Sequence, residues 1–183
     1  MKKKNYTALA KNSANIQIKE LKKIKKVFNN SFSKAVDLIL NCKGKVIFAG
    51  IGKSGLIARK ISATFSSVGI PSFFCDPVSA LHGDLGQLEK KDILIIFSYS
   101  GNTSELTNML KYANRLRIKI IGVASKLDSI LLKASDIKLI LPKVKEADVT
   151  GMVPTSSTTL TMLLGDCLAC LLYTSDAADE TER

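Results

Sequence analysis

Short apolar runs alternate with longer stretches of helical periodicity along most of the chain. Such alternation is typical of a parallel β-sheet whose strands are joined by helices. The plainest run, residues 92–97, is apolar after its first residue, as expected for a strand covered on both faces. The pattern predicts strands at residues 45–49, 71–75, 92–97, 119–124 and 137–141, and helices at 16–41 (long or broken), 56–67, 104–116, 129–134 and 160–172. We therefore predict an α/β fold, a three-layer αβα sandwich with a five-stranded parallel sheet.

The two ends of the chain depart from this pattern. Residues 1–41 are predicted to form a helical segment that packs on a domain of residues 42–169. From Tyr173 onward the chain turns acidic and loses its apolar rhythm, which is typical of a frayed tail. The stretch from Cys170 to about Glu180 also resembles a sequencing adapter translated in frame. We predict that residues 170–183 are non-native and that the natural protein continues beyond this point.

The net charge of +11 on 183 residues makes nucleic acid the first partner to consider. Residues 1–26 hold nine lysines and one glutamate, but apolar residues recur among them at helical spacing. A solvated helix face explains these lysines. Because no aromatic interleaving, zinc finger or RNA-binding signature accompanies the charge, we predict attraction for small anionic substrates and no nucleic acid partner.

The sequence also disfavours a membrane span and a metal site. No apolar run approaches the ~18–20 residues that a membrane span needs, and no apolar segment follows the N-terminal lysines as in a signal peptide. Cys167 and Cys170 form a lone C-x-x-C without a second pair or a nearby histidine, which disfavours zinc. We predict a cytoplasmic protein with reduced thiols, no metal and no membrane contact.

A glycine-rich turn at residues 50–55 lies between a predicted strand and a predicted helix. It satisfies G-x-G-x-x-G, and Asp76 ends the next predicted strand, so a dinucleotide site is one interpretation. Lys53 inside the turn suits a substrate carbonyl or phosphate better. A plain glycine turn with a solvent-facing lysine is the remaining alternative.

A second loop, residues 98–105, carries hydroxyls on Ser98, Ser100 and Thr103 around Gly101. Free backbone N–H groups and the helix dipole at such a helix N-terminus favour a phosphate. An ordinary N-cap explains one hydroxyl, but not this cluster after the most apolar strand. We predict a phosphate site here.

Two further segments are weaker candidates. Residues 153–159, which include Ser156 and Ser157, open the last helix with hydroxyls and either line the same anion pocket or cap the helix. His82 is the one histidine of the chain and stands among two glycines and Asp84, so a loop position and acid–base chemistry are open to it. A structural hydrogen bond is the alternative for this histidine.

Taken together, these segments resemble the sugar isomerase (SIS) domain and, within that superfamily, the D-arabinose 5-phosphate isomerase family. The resemblance runs from Cys42 to Asp166 through residues 52–55, 80–86, 98–105, 143–147 and 154–159. It implies interconversion of D-ribulose 5-phosphate and D-arabinose 5-phosphate without metal or organic cofactor. It also implies supply of the precursor of 3-deoxy-D-manno-octulosonate for lipopolysaccharide or capsule, and a homotetramer with sites at subunit contacts.

The resemblance also implies roles for individual residues. Lys53, Glu105 and Glu146 match catalytic positions of the family; we assign Lys53 to charge stabilisation and Glu146 or Glu105 to proton transfer. His82 is the candidate for ring opening or proton relay. The expected phosphate ligands are Ser98, Ser100 and Thr103, with Ser156 and Ser157 behind them, and Gly52, Ser54 and Gly101 complete the substrate-binding loops. For Glu146, a solvated loop is the alternative.

Family members commonly continue with a His-Pro-Gly-Gly stretch and paired CBS domains, and this chain ends before either. We therefore expect it to be an incomplete fragment that need not be active. Three other functions stay open at this point. They are a hexulose 6-phosphate isomerase, a nicotinamide-dependent oxidoreductase built on residues 50–55 and Asp76, and a phosphosugar sensor that binds without converting.

Overall fold

The computed structural model describes the backbone of residues 5–181 and the side chains of residues 5–174. Residues 1–4 of the predicted N-terminal segment and residues 182–183 of the predicted tail lie outside the described residues. The α-helices within this range are α1 (Tyr6–Leu21), α2 (Asn30–Leu40), α3 (Gly52–Ser67), α4 (Leu106–Leu116), α5 (Ile130–Ala134) and α6 (Ser156–Thr181). The strands are β1 (Val46–Gly50), β2 (Ser72–Phe74), β3 (Ile93–Phe97), β4 (Lys119–Ala124) and β5 (Ile137–Ile140), and short 3₁₀ turns cover Lys22–Lys26, Ser79–His82 and Asp84–Gln87.

The five strands form one parallel sheet in the order β2-β1-β3-β4-β5. The chain moves from β1 outward to β2 and then returns to β3 on the other side of β1, so the strand order reverses between β1 and β3. Gly50 at the end of β1 pairs in register with Phe97 at the end of β3. The loops that follow these two strands are therefore neighbours, at the place where open α/β sheets bind their ligands.

Successive residues of the central strands point to opposite faces of the sheet, and both faces are buried. This explains why the sequences of these strands are continuously apolar. Ile95 and Phe97 of β3 face a core shared with α3 and α6, where Phe65 and Leu164 are fully buried. Leu94 and Ile96 face a second core with α4 and α5. These two cores on either side of one sheet confirm the predicted three-layer α/β fold.

The N-terminal segment is a broken helix rather than a continuous one. Its first part, α1, begins at Tyr6, ten residues before the predicted start at Ile16, because Asn5 caps it by accepting the N–H of Ala8 at 3.0 Å. Asn29 starts α2 in the same way through the N–H of Ser31 at 2.8 Å. Residues 6–15 lack a strong apolar rhythm, so hydrophobic periodicity does not reveal this first part.

The last helix, α6, is long and apolar enough between Ser156 and Thr174 to cross a membrane by length and composition alone, with a mean hydropathy of 1.3. Core packing accounts for that composition, because Leu160, Leu164 and Leu168 are buried against the sheet and α3. The helix continues to Thr181, whereas the acidic composition after Tyr173 predicts fraying. Alanine and glutamate in this stretch are good helix formers, which reconciles its composition with a helical backbone.

Candidate active site

A cavity of about 480 Å³ opens at the carboxyl ends of β1 and β3, within the usual size range of small-molecule sites. Its walls come from the first turns of α3, from Tyr99 after β3, and from the segment between β5 and α6. The lining residues are Ile51, Lys53, Ser54, Ile57, Tyr99, Val144, Glu146, Gly151, Met152, Pro154, Ser157, Thr158 and Thr161. The structure thus brings together four of the residues that the sequence predicts for the site, namely Lys53, Ser54, Glu146 and Ser157.

The glycine turn places Lys53 at this cavity. The helix α3 begins at Gly52 rather than near Leu56. Gly52 has a φ of +57°, a backbone conformation that is strained for residues with a side chain. A Cβ on Gly55 would lie 2.6 Å from the carbonyl oxygen of Gly50, so only glycine lets α3 pack this closely on β1. Lys53 therefore lies in the first turn of α3.

Lys53 carries an uncommitted positive charge. Its side chain is exposed, and the described part of the chain offers it no hydrogen bond or ion pair. An ammonium group without a protein partner beside a cavity is available to an anionic ligand or to a developing oxyanion.

Glu146 is fixed in the cavity wall by donors from the start of α6. One carboxylate oxygen accepts the N–H of Thr155 at 2.7 Å, the hydroxyl of Thr155 at 2.9 Å and the N–H of Ser157 at 3.3 Å. Burial opposes ionisation of Glu146, but the hydrogen bonds from Ser157 and Thr155 outweigh it and lower its pKa. Glu146 is therefore an ordered, ionised carboxylate, and the solvated-loop alternative for it does not describe this structure.

Tyr99 is a cavity residue that the sequence reasoning missed. Its hydroxyl accepts the N–H of Val144 at 2.9 Å and donates to the carbonyl of Pro142 at 3.3 Å. Burial raises the pKa of Tyr99, the N–H of Val144 opposes the rise, and the charge of Glu146 adds to it. An aromatic residue inside the hydroxyl-rich loop is the sequence signal that could have indicated a wall residue.

The serine loop after β3 is ordered by its own hydroxyls. Ser98 and Thr103 hydroxyls lie 2.8 Å apart, and the Ser98 oxygen accepts the N–H of Gly101 at 3.1 Å. Ser100 accepts the N–H of Asn102 at 3.3 Å. Gly101 has a φ of +70°, and a Cβ there would lie 2.2 Å from the Ser129 hydroxyl, so glycine is required. None of the three predicted hydroxyls lines the 480 Å³ cavity, although their loop contributes Tyr99 to it.

Glu105 and His82 also lie outside the lining of that cavity. Glu105 is exposed just before α4, where its own N–H and the hydroxyl of Ser104 lower its pKa. His82 ends the 3₁₀ turn Ser79–His82 on the surface. Neither side chain therefore lies beside Lys53 and Glu146 in the wall of that cavity.

Ser156 and Ser157 are both buried at the start of α6, but only Ser157 lines the cavity. The Ser156 hydroxyl has no hydrogen-bond partner and is the one such buried side-chain atom found among the described side chains. A buried hydroxyl without a partner is unusual, since most are satisfied in folded proteins.

The residues of the dinucleotide alternative meet at a second cavity of about 330 Å³, which Gly50, Gly52, Gly55 and Asp76 line together. Asp76 already accepts the N–H groups of Val78 at 2.9 Å and Ser79 at 3.0 Å. The turn that follows β2 therefore accounts for this carboxylate. Among the described residues there is no group of three or more His, Cys, Asp or Glu side chains placed to hold a metal ion.

The chain is similar in sequence to known proteins. The family model of the SIS domain matches residues 39–171. The chain is 42% identical over 152 residues to the arabinose 5-phosphate isomerase KdsD of Escherichia coli K12, covering 83% of this chain and 46% of that protein. It is 38% identical over 168 residues to KdsD of Salmonella typhi, covering 92% and 51%.

A solved structure gives the same result at the level of the fold. An E. coli CFT073 protein in complex with arabinose 5-phosphate superposes with a TM-score of 0.92 at 33% identity, covering 97% of this chain and 94% of that one. The chain spans about half the length of the curated relatives it matches. By the family model and by this structural likeness, the chain belongs to the SIS-domain family.

Proposed function

We propose that this chain is an aldose–ketose isomerase that interconverts D-arabinose 5-phosphate and D-ribulose 5-phosphate. The proposal is supported by the relatives named arabinose 5-phosphate isomerase and by the solved relative in complex with arabinose 5-phosphate. We further propose that the reaction takes place in the cytoplasm, without metal or organic cofactor, and supplies the precursor of 3-deoxy-D-manno-octulosonate. A homotetramer is the expected assembly.

The single observation that carries the proposal is the pairing of Lys53 and Glu146 around one cavity. Aldose–ketose exchange needs a base that moves a proton and a cation where the oxyanion develops. Glu146 is ionised and ordered, which is the state of a proton acceptor. Lys53 has no partner within the described residues and is free to meet negative charge.

In this reaction Glu146 takes the proton from C2 of the open-chain aldose. The electron pair of the C2–H bond forms the C1=C2 bond, and O1 takes the negative charge beside Lys53. Transfer of the O2 proton to O1 and return of the first proton to C1 give the ketose. Glu105 is the alternative proton carrier, and His82 is proposed to open the sugar ring or relay its proton.

The phosphate of the substrate is proposed to bind between the serine loop and the start of α6. Tyr99 of the serine loop and Ser157 at the start of α6 line the same cavity, which supports this placement. The proposed ligands are Ser98, Ser100 and Thr103, with Ser156 and Ser157 behind them. Gly52, Ser54 and Gly101 allow the backbone and a hydroxyl to approach the substrate.

The test is an assay of the chain with D-arabinose 5-phosphate in the presence of a chelator, with ketose formation followed over time. The proposal predicts ketose at a rate that the chelator does not change. Binding of the sugar phosphate without ketose would instead indicate a sensor. Absence of both binding and turnover would contradict a sugar-phosphate function for this chain.

A further inference from the structure

A buried carboxylate on α1 holds the backbone next to Glu146. Glu20 is 5% exposed and lies one residue before the end of α1, on a helix that packs on α6. Its carboxylate accepts a hydrogen bond from the N–H of Lys145 at 3.1 Å. Lys145 is the residue immediately before Glu146. The same carboxylate oxygen is bonded to the ammonium group of Lys23.

The contacts of α1 and the following turn extend along the whole segment. Lys23 donates to the carbonyl of Lys143 at 3.3 Å, and the hydroxyl of Ser13 lies 3.5 Å from the carbonyl of Ala147. Backbone groups on both sides of Glu146 are thus held by side chains of residues 13–23. The proposed base is attached to the protein body through these contacts and through the donors at the start of α6.

A buried carboxylate is a costly way to anchor a loop unless its position matters, since ionised groups are rarely buried without compensation. Here the compensation consists of Lys23 and the N–H of Lys145. Hydrogen bonding from Lys23 lowers the pKa of Glu20, with burial opposing it and the N–H of Lys145 assisting. Glu20 therefore stays ionised at neutral pH and keeps its hold on the segment.

We propose that Glu20 is a positioning residue that fixes the backbone of residues 143–147 and thereby aims the carboxylate of Glu146 into the cavity. This inference rests on the proposed role of Glu146 in proton transfer. Glu20 does not line the cavity and acts only through the backbone. A displacement of about 1 Å at a reacting group can slow turnover by about 100-fold, so such an anchor has a catalytic consequence.

The test compares Glu20→Ala, which removes the acceptor, with Glu20→Gln, whose amide oxygen can still accept the N–H of Lys145. Asp166→Ala is the control, because it removes a partly exposed carboxylate paired with Lys60 between α6 and α3. In Glu20→Ala we expect backbone amide exchange in residues 143–147 to be at least ~10-fold faster. We also expect kcat to fall about 10- to 100-fold with KM changed far less.

A pKa titration of Glu146 by NMR separates positioning from general loss of stability. Lys53 of α3 and Tyr99 face the same cavity and are unchanged in all variants. When the segment loosens, the donors from Thr155 and Ser157 are lost, so the pKa of Glu146 rises in Glu20→Ala. It stays near the wild-type value in Glu20→Gln and Asp166→Ala.

Unchanged exchange at residues 143–147 and an unchanged pKa of Glu146 in Glu20→Ala would overturn the proposal. If Glu20→Ala does not fold, Lys23→Met is measured in its place, because it removes the hydrogen bond to the Lys143 carbonyl. The exchange rate of residues 143–147 and the pKa of Glu146 are then expected to change in the same direction. Absence of turnover in the wild-type chain would count against the isomerase function instead. The exchange and titration measurements do not need turnover, so the two failures are distinguishable.

Discussion

Glu146 and Thr155 are joined twice: one carboxylate oxygen of Glu146 accepts the N–H of Thr155 at 2.7 Å and its hydroxyl at 2.9 Å. The same hydroxyl accepts the N–H of Ala147 at 2.8 Å. Thr155 thus holds both the side chain of Glu146 and the backbone that follows it. The start of α6 is where the polar wall of the cavity is organised.

Replacing Thr155 with valine is expected to raise the pKa of Glu146. The substitution removes one donor to the carboxylate and leaves the N–H of Ala147 without its acceptor, which costs about 1–3 kcal/mol of unfolding free energy. NMR titration and urea unfolding measure the two effects. Thr64→Val, which removes a hydroxyl that donates to the Lys60 carbonyl at 3.1 Å, is the matched control and should leave the Glu146 pKa unchanged. An unaltered pKa in Thr155→Val would show that the Thr155 hydroxyl does not contribute to it.

Stability should depend on pH through the same carboxyl group. The folded pKa of Glu146 lies below its ordinary value of 4.5, so its stabilising contribution is present above that value and is lost as pH falls through the folded pKa. We expect the unfolding midpoint in urea to fall more steeply below about pH 4.5 in the wild type than in Glu146→Gln. Parallel pH profiles for the two proteins would contradict the assignment.

Lys53→Gln should lower turnover without lowering stability. The ammonium group has no partner among the described side chains, so its loss removes no hydrogen bond or ion pair. Loss of a group that stabilises an oxyanion costs about 10²–10³-fold in kcat. Lys34→Gln, at an exposed position of α2, is the control for a change of charge alone. Normal kcat in Lys53→Gln would exclude the charge-stabilising role.

Gly55→Ala is expected to destabilise the fold and displace the first turn of α3. The new Cβ would lie 2.6 Å from the Gly50 carbonyl oxygen, so α3 must move away from β1 at a cost of about 1–3 kcal/mol. Gly86→Ala is the control, since its Cβ would meet nothing within 4 Å. Thermal unfolding compares the two, and equal melting temperatures would show that the close approach is not required.

Ser156→Ala separates ligand binding from stability. The Ser156 hydroxyl is buried without a partner, so its removal should leave stability unchanged or slightly increased. If it binds the substrate phosphate, KM rises about 10-fold. Ser135→Ala is the contrast, because the Ser135 hydroxyl donates to the Leu131 carbonyl at 2.7 Å and its loss should destabilise the protein. An unchanged KM in Ser156→Ala would remove Ser156 from the phosphate site.

The fold was largely predictable because the hydrophobic pattern that indicates it lies within single short segments of the chain. The apolar runs of β1, β3 and β4 need cover on both faces, and this requirement alone indicates a layered parallel sheet. The start of α1 was not predictable from periodicity, because Asn5 sets it through a cap in a stretch with little apolar rhythm. The start of α3 was missed because glycines obscured a helix that begins inside their turn.

Local sequence pattern alone could place a cavity residue only where that residue adjoins a strand end, whereas Glu146 was predicted from the family resemblance. Lys53 follows β1 directly, and strand ends of a parallel sheet converge, so its position could be argued from sequence. The partners of Glu146 come from residues 9 and 11 positions later, and Glu20 reaches its segment from 125 positions away. Contacts of this kind depend on tertiary packing, which no local pattern records.

The most direct test of the central claim, that Glu146 moves the proton of a sugar phosphate held beside Lys53, is the turnover of Glu146→Gln with D-arabinose 5-phosphate. The glutamine oxygen can still accept the Thr155 donors, so the loop stays ordered while the base is lost. We expect kcat to fall about 10²–10⁴-fold with sugar-phosphate binding retained. Wild-type turnover in Glu146→Gln would contradict the account.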